Sequence, residues 1–236
     1  YLDKVGIIPG IIVDAGAKPF SSHPNEKITE GLDNLTERME EYSSLGAKFA
    51  KWRAVITIGE NIPSSACMLA NSHALARYAS ICQEINIVPI VEPEVLMDGS
   101  HNINKCFEVT NTMQSILFET LDKLDINFSG IILKPNMIIP GSECKSKSSS
   151  EEIAKKTLDC LKKNVPSDVP GIAFLSGGQS EIEASKNLNQ INKINDTNFL
   201  ITFSYGRGLQ ASALKEFGKN QENIKNIQKA FDHRAK

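Results

Sequence analysis

A chain of 236 residues with 41% apolar and 23% charged residues is long enough to bury one substantial core, which excludes a disordered or fibrous class. Its formal net charge of -2 offers no basic surface for nucleic acid and none for an anionic membrane, so any anion must be caught locally. No apolar stretch approaches the ~20 residues of a membrane span; the five cysteines have no CxxC spacing, which points to a reducing, cytoplasmic setting, and the four histidines form no metal-ligand motif and read as ordinary surface or helix histidines.

The first residues, Tyr1 to Gly6, carry neither an initiator Met nor a basic or apolar leader and run straight into a strand-like Ile7-Ile8-Pro9-Gly10, so the sequence reads as a piece of a longer chain. Short apolar runs then recur every forty residues or so: Ile7 to Asp14, Ala47 to Ile56, Ile87 to Glu94, Gly130 to Asn136, Gly171 to Ser176 and Phe199 to Ser204. Helical periodicity fills the gaps. Glu30 to Leu45 places Leu32, Leu35, Met39 and Tyr42 on one face; Pro63-Ser64-Ser65 opens a long helix through Ile81; His101 to Leu124 repeats the pattern. Ser148-Ser149-Ser150-Glu151-Glu152 and Ser180-Glu181-Ile182-Glu183 fit capping boxes, and Gly206 to Phe217 and Glu222 to Phe231 close the chain as helices.

Six βα units could form an open doubly wound sheet or most of an eight-stranded barrel. Every strand ends in polar chemistry: Asp14, Lys51 with Arg53, Glu92 with Glu94, Lys134, Ser176, and Tyr205-Gly206-Arg207. A barrel mouth, where all strands converge, explains that better, so the expected fold is α/β, a (β/α)8 TIM barrel of which this chain covers about strands 3 to 8. Residues 1–236 are then one barrel domain lacking the first two βα units and a C-terminal tail. Such a piece alone is expected to be badly impaired.

Lys134 ends a strand, and Pro135 holds it in extended geometry. Either it snorkels into water or it sits in a dry site, where losing a proton turns it into an amine nucleophile. Side chains two apart share a strand face, so Lys51 and Arg53 point one way and Trp52 the other, toward helices. Glu92 and Glu94 likewise share a face one strand away. This quartet is an internal salt-bridge network or a functional one; buried ion pairs seldom stabilise a fold, which favours function. The glycines of Leu175-Ser176-Gly177-Gly178-Gln179-Ser180 and Ser204-Tyr205-Gly206-Arg207-Gly208 are ordinary strand-to-helix turns or, taken together, a phosphate site at the place barrels often put one.

The strings Gly6-Ile7-Ile8-Pro9-Gly10, Phe49-Ala50-Lys51-Trp52-Arg53, Ala76 to Gln83, Ile87 to Glu94, Leu133-Lys134-Pro135-Asn136-Met137, Phe174 to Ser180 and Thr202 to Arg207 resemble class I fructose-1,6-bisphosphate aldolase along nearly the whole chain. The resemblance implies a glycolytic lyase that reversibly cleaves fructose 1,6-bisphosphate to dihydroxyacetone phosphate and glyceraldehyde 3-phosphate through a lysine Schiff base, with no cofactor and no metal. It makes Lys134 the Schiff-base lysine, Glu92 the main proton-transfer residue, Lys51 the cation beside the reacting hydroxyl and Glu94 the carboxylate that orients Lys51. Arg53 becomes a substrate-side cation, Ser176, Gly177, Gly206 and Arg207 a 1-phosphate cradle with Ser204 close by, and Asp14 an acidic strand end. Where the family carries two lysines this chain has Ile12 and Ala15, which weakens the expected grip on the 6-phosphate. The resemblance also implies a cytoplasmic homotetramer. The alternative from another class is an aldolase-like scaffold that binds actin or a membrane-protein tail; a transaldolase-like Schiff-base barrel fits the phosphate loops less well.

Overall fold

All six apolar runs form strands, and they pair in parallel in chain order. The computed structural model describes residues 3–235; Tyr1, Leu2 and Lys236, at the ends of the expected domain, lie outside the described residues. The strands of the main sheet are β1 (Gly10–Ile12), β4 (Phe49–Ile56), β5 (Val88–Val95), β6 (Ile132–Leu133), β7 (Gly171–Phe174) and β8 (Leu200–Phe203), ordered β1-β4-β5-β6-β7-β8. Between them run the helices α1 (Leu35–Ser44), α2 (Ser65–Glu84), α3 (Ile103–Lys123), α4 (Ser150–Asn164) and α5 (Glu181–Ile194), followed by α6 (Arg207–Lys219) and α7 (Ile224–Ala235). Parallel pairing joined by helices sends every strand's C-terminal end to one rim, and that is where the polar residues sit.

Local chemistry sets the helix starts. Ser64 caps α2 by accepting from the Cys67 N–H, Ser149 caps α4 by accepting from Glu152, and Ser180 with Glu183 forms the full reciprocal box at α5. The expected helix over 30–45 is shorter, beginning at Leu35, because Gly31 (φ +124°) and Asn34 (φ +51°) hold left-handed geometry that a helix cannot contain. The core lies between sheet and helices. Trp52, on the strand face opposite Lys51, is fully buried and tilts against Tyr78 of α2 with ring centroids 5.7 Å apart. All five cysteines are free thiols, four of them buried.

One element is absent from the sequence reading. After β1 the chain makes an antiparallel hairpin of β2 (Ala17–Pro19) and β3 (Lys27–Thr29). The buried Glu26 carboxylate fastens it to the start of α2, accepting from the Ser64 N–H (2.7 Å) and Oγ (2.6 Å), and Thr29 Oγ1 donates to the Arg53 carbonyl at 2.7 Å. The hairpin thereby ties the loop carrying Asp14 to the middle of β4.

The loops that follow β5 and β6 clamp together through Gly141 N–H to His101 O (2.8 Å), Ser142 N–H to Met97 O (2.7 Å) and Glu143 N–H to Gly99 O (2.9 Å). His101 is not the ordinary surface histidine the sequence suggests: both ring nitrogens are buried in this clamp without a hydrogen-bond partner among the described residues. Burial holds its pKa below the ordinary 6.5, against the opposing charge of Asp98. Above pH 6.5 folded and unfolded chains both carry it neutral; below, the unfolded chain takes the proton first, so stability falls with pH until the folded pKa is reached. His101→Gln should flatten that part of the acid limb, read as the change in Tm between pH 7 and pH 5; an unchanged slope means His101 does not drive it.

Candidate active site

The cluster begins with strand register. Arg53 lies opposite Glu92 and Val55 opposite Glu94 between β4 and β5; Val91 lies opposite Leu133 between β5 and β6, and the Lys134 N–H donates to Val91 O at 2.8 Å. The ladder therefore sets Lys134 level with Glu92, and the period of two turns both side chains to the same face. Burial follows: the Lys134 and Glu92 side chains are only 14% and 4% exposed. Lys134 does not reach into water.

Glu92 stands between two ammonium groups. Its Oε1 is 3.1 Å from Lys134 Nζ and its Oε2 is 3.4 Å from Lys51 Nζ. Both contacts are ion pairs, and Oε2 is a buried acceptor with no hydrogen-bond partner among the described residues. Lys51 is held instead by Asp14, whose Oδ2 accepts from Lys51 Nζ at 3.1 Å and from the Arg53 N–H at 3.2 Å, while Oδ1 accepts from the Gly16 N–H at 3.2 Å. Two cations around one carboxylate, with a second carboxylate behind, satisfy the condition for burying charge.

Glu94 does not orient Lys51 as the resemblance implies. Its Oε2 takes Arg53 Nε at 2.5 Å. Each β5 glutamate leans to the β4 cation whose register partner is two residues earlier, Glu92 to Lys51 (level with Ile90) and Glu94 to Arg53 (level with Glu92), a diagonal that spacing alone cannot reveal. Burial works against the Arg53 guanidinium, but Glu94's hydrogen bond and charge, with Glu92 and Asp14 behind, outweigh it and raise its pKa.

The two glycine loops meet one strand further on. Ser176 to Gln179 is a β-turn closed by the Gln179 N–H on Ser176 O at 3.0 Å, with φ +58° at Gly177 and +85° at Gly178, the type I′ pattern that glycine accommodates without strain. Its closing bond uses neither glycine N–H. A Cβ on Gly208 would come within 3.1 Å of Ser176 Cβ, and one on Gly178 within 3.8 Å of Arg207 Nη2, so the 204–208 loop lies against this turn with Arg207 beside it. Ser204 is fixed by its N–H to Phe174 O at 2.8 Å, and Gly206 precedes α6 without a side-chain cap. The turn is joined to the lysine segment by the Leu175 N–H to Pro135 O, 3.2 Å. A cavity of about 450 Å³ abuts the far side of Gly178 against Met97, Lys147 and Lys186, but none of the charged cluster lines it, and the chemistry lies with the cluster. Among the described residues no three His, Cys, Asp or Glu side chains converge as a metal-binding group.

A buried lysine beside a shared carboxylate, with two adjoining glycine turns, is an arrangement compatible with Schiff-base chemistry on an anionic substrate. Comparison with known proteins gives the same result: the model of the family described as fructose-bisphosphate aldolase class I matches residues 1–236. The chain belongs to the class I fructose-bisphosphate aldolases. It is 50% identical over its whole length to a probable class 1 fructose-bisphosphate aldolase of Xanthomonas axonopodis pv. citri, spanning 71% of that protein, and 48% identical to the cytosolic fructose-bisphosphate aldolase 4 of Arabidopsis thaliana, spanning 60% of it. Among solved structures, an aldolase from Plasmodium falciparum, in complex with TRAP and a small-molecule inhibitor, superposes with a TM-score of 0.96 at 44% identity, over 99% of this chain and 68% of that one. The six-stranded parallel sheet is thus part of an aldolase (β/α)8 barrel. No helix among the described residues is long and apolar enough to cross a membrane.

Of the residues singled out from sequence, Asp14, Lys51, Arg53, Glu92, Glu94 and Lys134 form one charged network, and Ser176, Gly177, Ser204, Gly206 and Arg207 form the adjoining pair of loops. What sequence reasoning missed is the support behind them: Thr29 on the Arg53 carbonyl, and Gln179 and Asn187 behind the Ser176 turn. Polar residues in a helix or short strand give no periodic signal that sets them apart from surface ones.

Proposed function

We propose that Lys134 is the Schiff-base nucleophile of this aldolase and that Glu92 moves the protons. The observation that carries this reading is Glu92 held between Lys134 and Lys51, with Oε2 buried and without a hydrogen bond among the described residues. Proton transfer from Lys134 to Glu92 along the 3.1 Å contact frees the amine, which attacks the C2 ketone of fructose 1,6-bisphosphate; once an amine proton has moved to the C2 oxygen, Glu92 returns its own proton to that oxygen, which leaves as water and gives the protonated imine with Glu92 again a carboxylate. The C3–C4 bond then breaks, its electron pair passing from C3 into the imine nitrogen, while the C4 hydroxyl gives its proton to Glu92 and becomes the aldehyde of glyceraldehyde 3-phosphate. Protonation of the enamine at C3 and hydrolysis release dihydroxyacetone phosphate. Lys51, fixed by Asp14, steadies the negative charge developing on the C4 oxygen. Arg53 is a substrate-side cation held by Glu94, and the Ser176, Gly177, Gly206 and Arg207 loops, with Ser204, cradle the 1-phosphate.

The test is cleavage of fructose 1,6-bisphosphate by the complete enzyme dialysed against a chelator. Full activity is expected, since the imine serves as the electron sink; loss of activity restored by a divalent metal would overturn the Schiff-base reading.

On the 6-phosphate side Ile12 is 65% exposed and neither it nor Ala15 offers a charge, so discrimination between fructose 1,6-bisphosphate and fructose 1-phosphate should be small. Ile12→Lys should raise kcat/KM for the bisphosphate on the order of tenfold while leaving the 1-phosphate little changed. Equal effects on both would place Ile12 away from the 6-phosphate.

We also propose that residues 1–236 form one barrel domain whose sheet is continued by further strands; Ile12 on β1 and Leu200 and Phe203 on β8, exposed apolar side chains on the two edges, support this. The cytosolic names of the Arabidopsis relatives support a cytoplasmic enzyme, and family membership supports a homotetramer. The Plasmodium aldolase, solved in complex with TRAP and a small-molecule inhibitor, supports a protein partner for this chain as well.

A further inference from the structure

The turn carrying Ser176 and Gly177 is held from behind by side chains that the mechanism does not use. Asn187 on α5 is 5% exposed and donates from Nδ2 to Gln179 Oε1 at 2.7 Å. With its oxygen committed, the Gln179 amide must present its hydrogens on the other side, where Nε2 donates to Ser176 O at 3.0 Å and lies 3.6 Å from Met137 Sδ. Ser176 O therefore accepts twice, from this side chain and from the Gln179 N–H.

That double hold matters because the Ser176–Gly177 peptide is a rigid plane in a flexible place. A peptide flip would exchange its carbonyl and its N–H between the two faces of the turn, and Gly177, whose φ must change in the flip, resists it weakly. A carbonyl turned outward presents a partial negative charge where an anion needs an N–H. Pinning the oxygen inward fixes the Gly177 N–H outward. We propose that Asn187 is a positioning residue for the phosphate turn, acting through Gln179 to hold the Ser176–Gly177 peptide with its N–H toward the anion. The proposal rests on the reading of this turn as the 1-phosphate cradle.

Asn187→Asp keeps the volume and removes the donor. Gln179 must then turn its amide to donate to the new carboxylate, which brings Oε1 against Ser176 O and favours the flipped peptide. With the complete enzyme, Asn187→Asp should raise Ki for inorganic phosphate and KM for fructose 1,6-bisphosphate on the order of tenfold each, with kcat within about twofold. The borohydride-trapped fraction at saturating dihydroxyacetone phosphate should not change. A residue that merely stabilised the fold would lower Tm and kcat together without a selective effect on phosphate. Gln179→Glu provides a second route, since it can still accept from Asn187 but has no hydrogen for Ser176 O, and it decides the matter if Asn187→Asp does not fold. Arg207→Ala separates the two readings. If it raises Ki for phosphate and the folded Asn187 and Gln179 variants do not, the cradle stands and the positioning role is wrong. If Arg207→Ala leaves phosphate inhibition untouched, the cradle is misplaced and the positioning role falls with it.

Discussion

Lys134→Met should abolish turnover of fructose 1,6-bisphosphate, with kcat reduced by at least about 10⁴-fold, the scale seen when a covalent nucleophile is removed. In the proposed mechanism no general base or phosphate contact compensates, because without the amine there is no imine to accept the electrons of the C3–C4 bond. Lys134→Arg separates nucleophilicity from charge. It keeps a cation next to Glu92 Oε1, where the lysine sits 3.1 Å away, yet a guanidinium does not form the imine. Both variants should be inactive, but the arginine form should melt closer to the native protein, because Lys134→Met leaves the nearly buried Glu92 with Lys51 as its remaining ion-pair partner. Activity retained by Lys134→Arg would mean that the position supplies charge alone.

Glu92→Gln should lower kcat by roughly 10²- to 10⁴-fold, the span typical of a lost general acid–base group. The amide keeps the shape of the carboxylate in a site where the side chain is 4% exposed, so the loss reports chemistry more than packing. In the proposed mechanism Glu92 serves both imine formation and C–C cleavage, so single-turnover measurements should show both steps slowed. If imine formation alone slows, another group takes the C4 hydroxyl proton; Asp14, which holds Lys51 at 3.1 Å, is the nearest candidate along the network.

Much of this was legible because the charged residues break a pattern. Lys51 and Arg53, or Glu92 and Glu94, at a spacing of two inside apolar strands have no reason to be there unless they face one another, and Lys134 before Pro135 can only end its strand. The turn at Gly177-Gly178 was legible for the same reason, two glycines where a strand must enter a capped helix. The pairing within the quartet was not, since whether Glu94 meets Lys51 or Arg53 depends on how the side chains lean across adjacent strands. The β2–β3 hairpin escaped because its strands are three residues long, with Lys18 and Lys27 in place of an apolar alternation. Asn187 and His101 escaped because burial, not residue type, gives them their roles: one is a helix asparagine whose donor is committed, the other a loop histidine shut into a clamp.

The measurement that bears most directly on the account is borohydride reduction of the complete enzyme with dihydroxyacetone phosphate, followed by mass mapping of its peptides. The account predicts one reduced adduct per chain, on the peptide containing Lys134, formed in Lys51→Met but not in Lys134→Met. An adduct on Lys51 instead, or none from a folded enzyme that still cleaves its substrate, would contradict it.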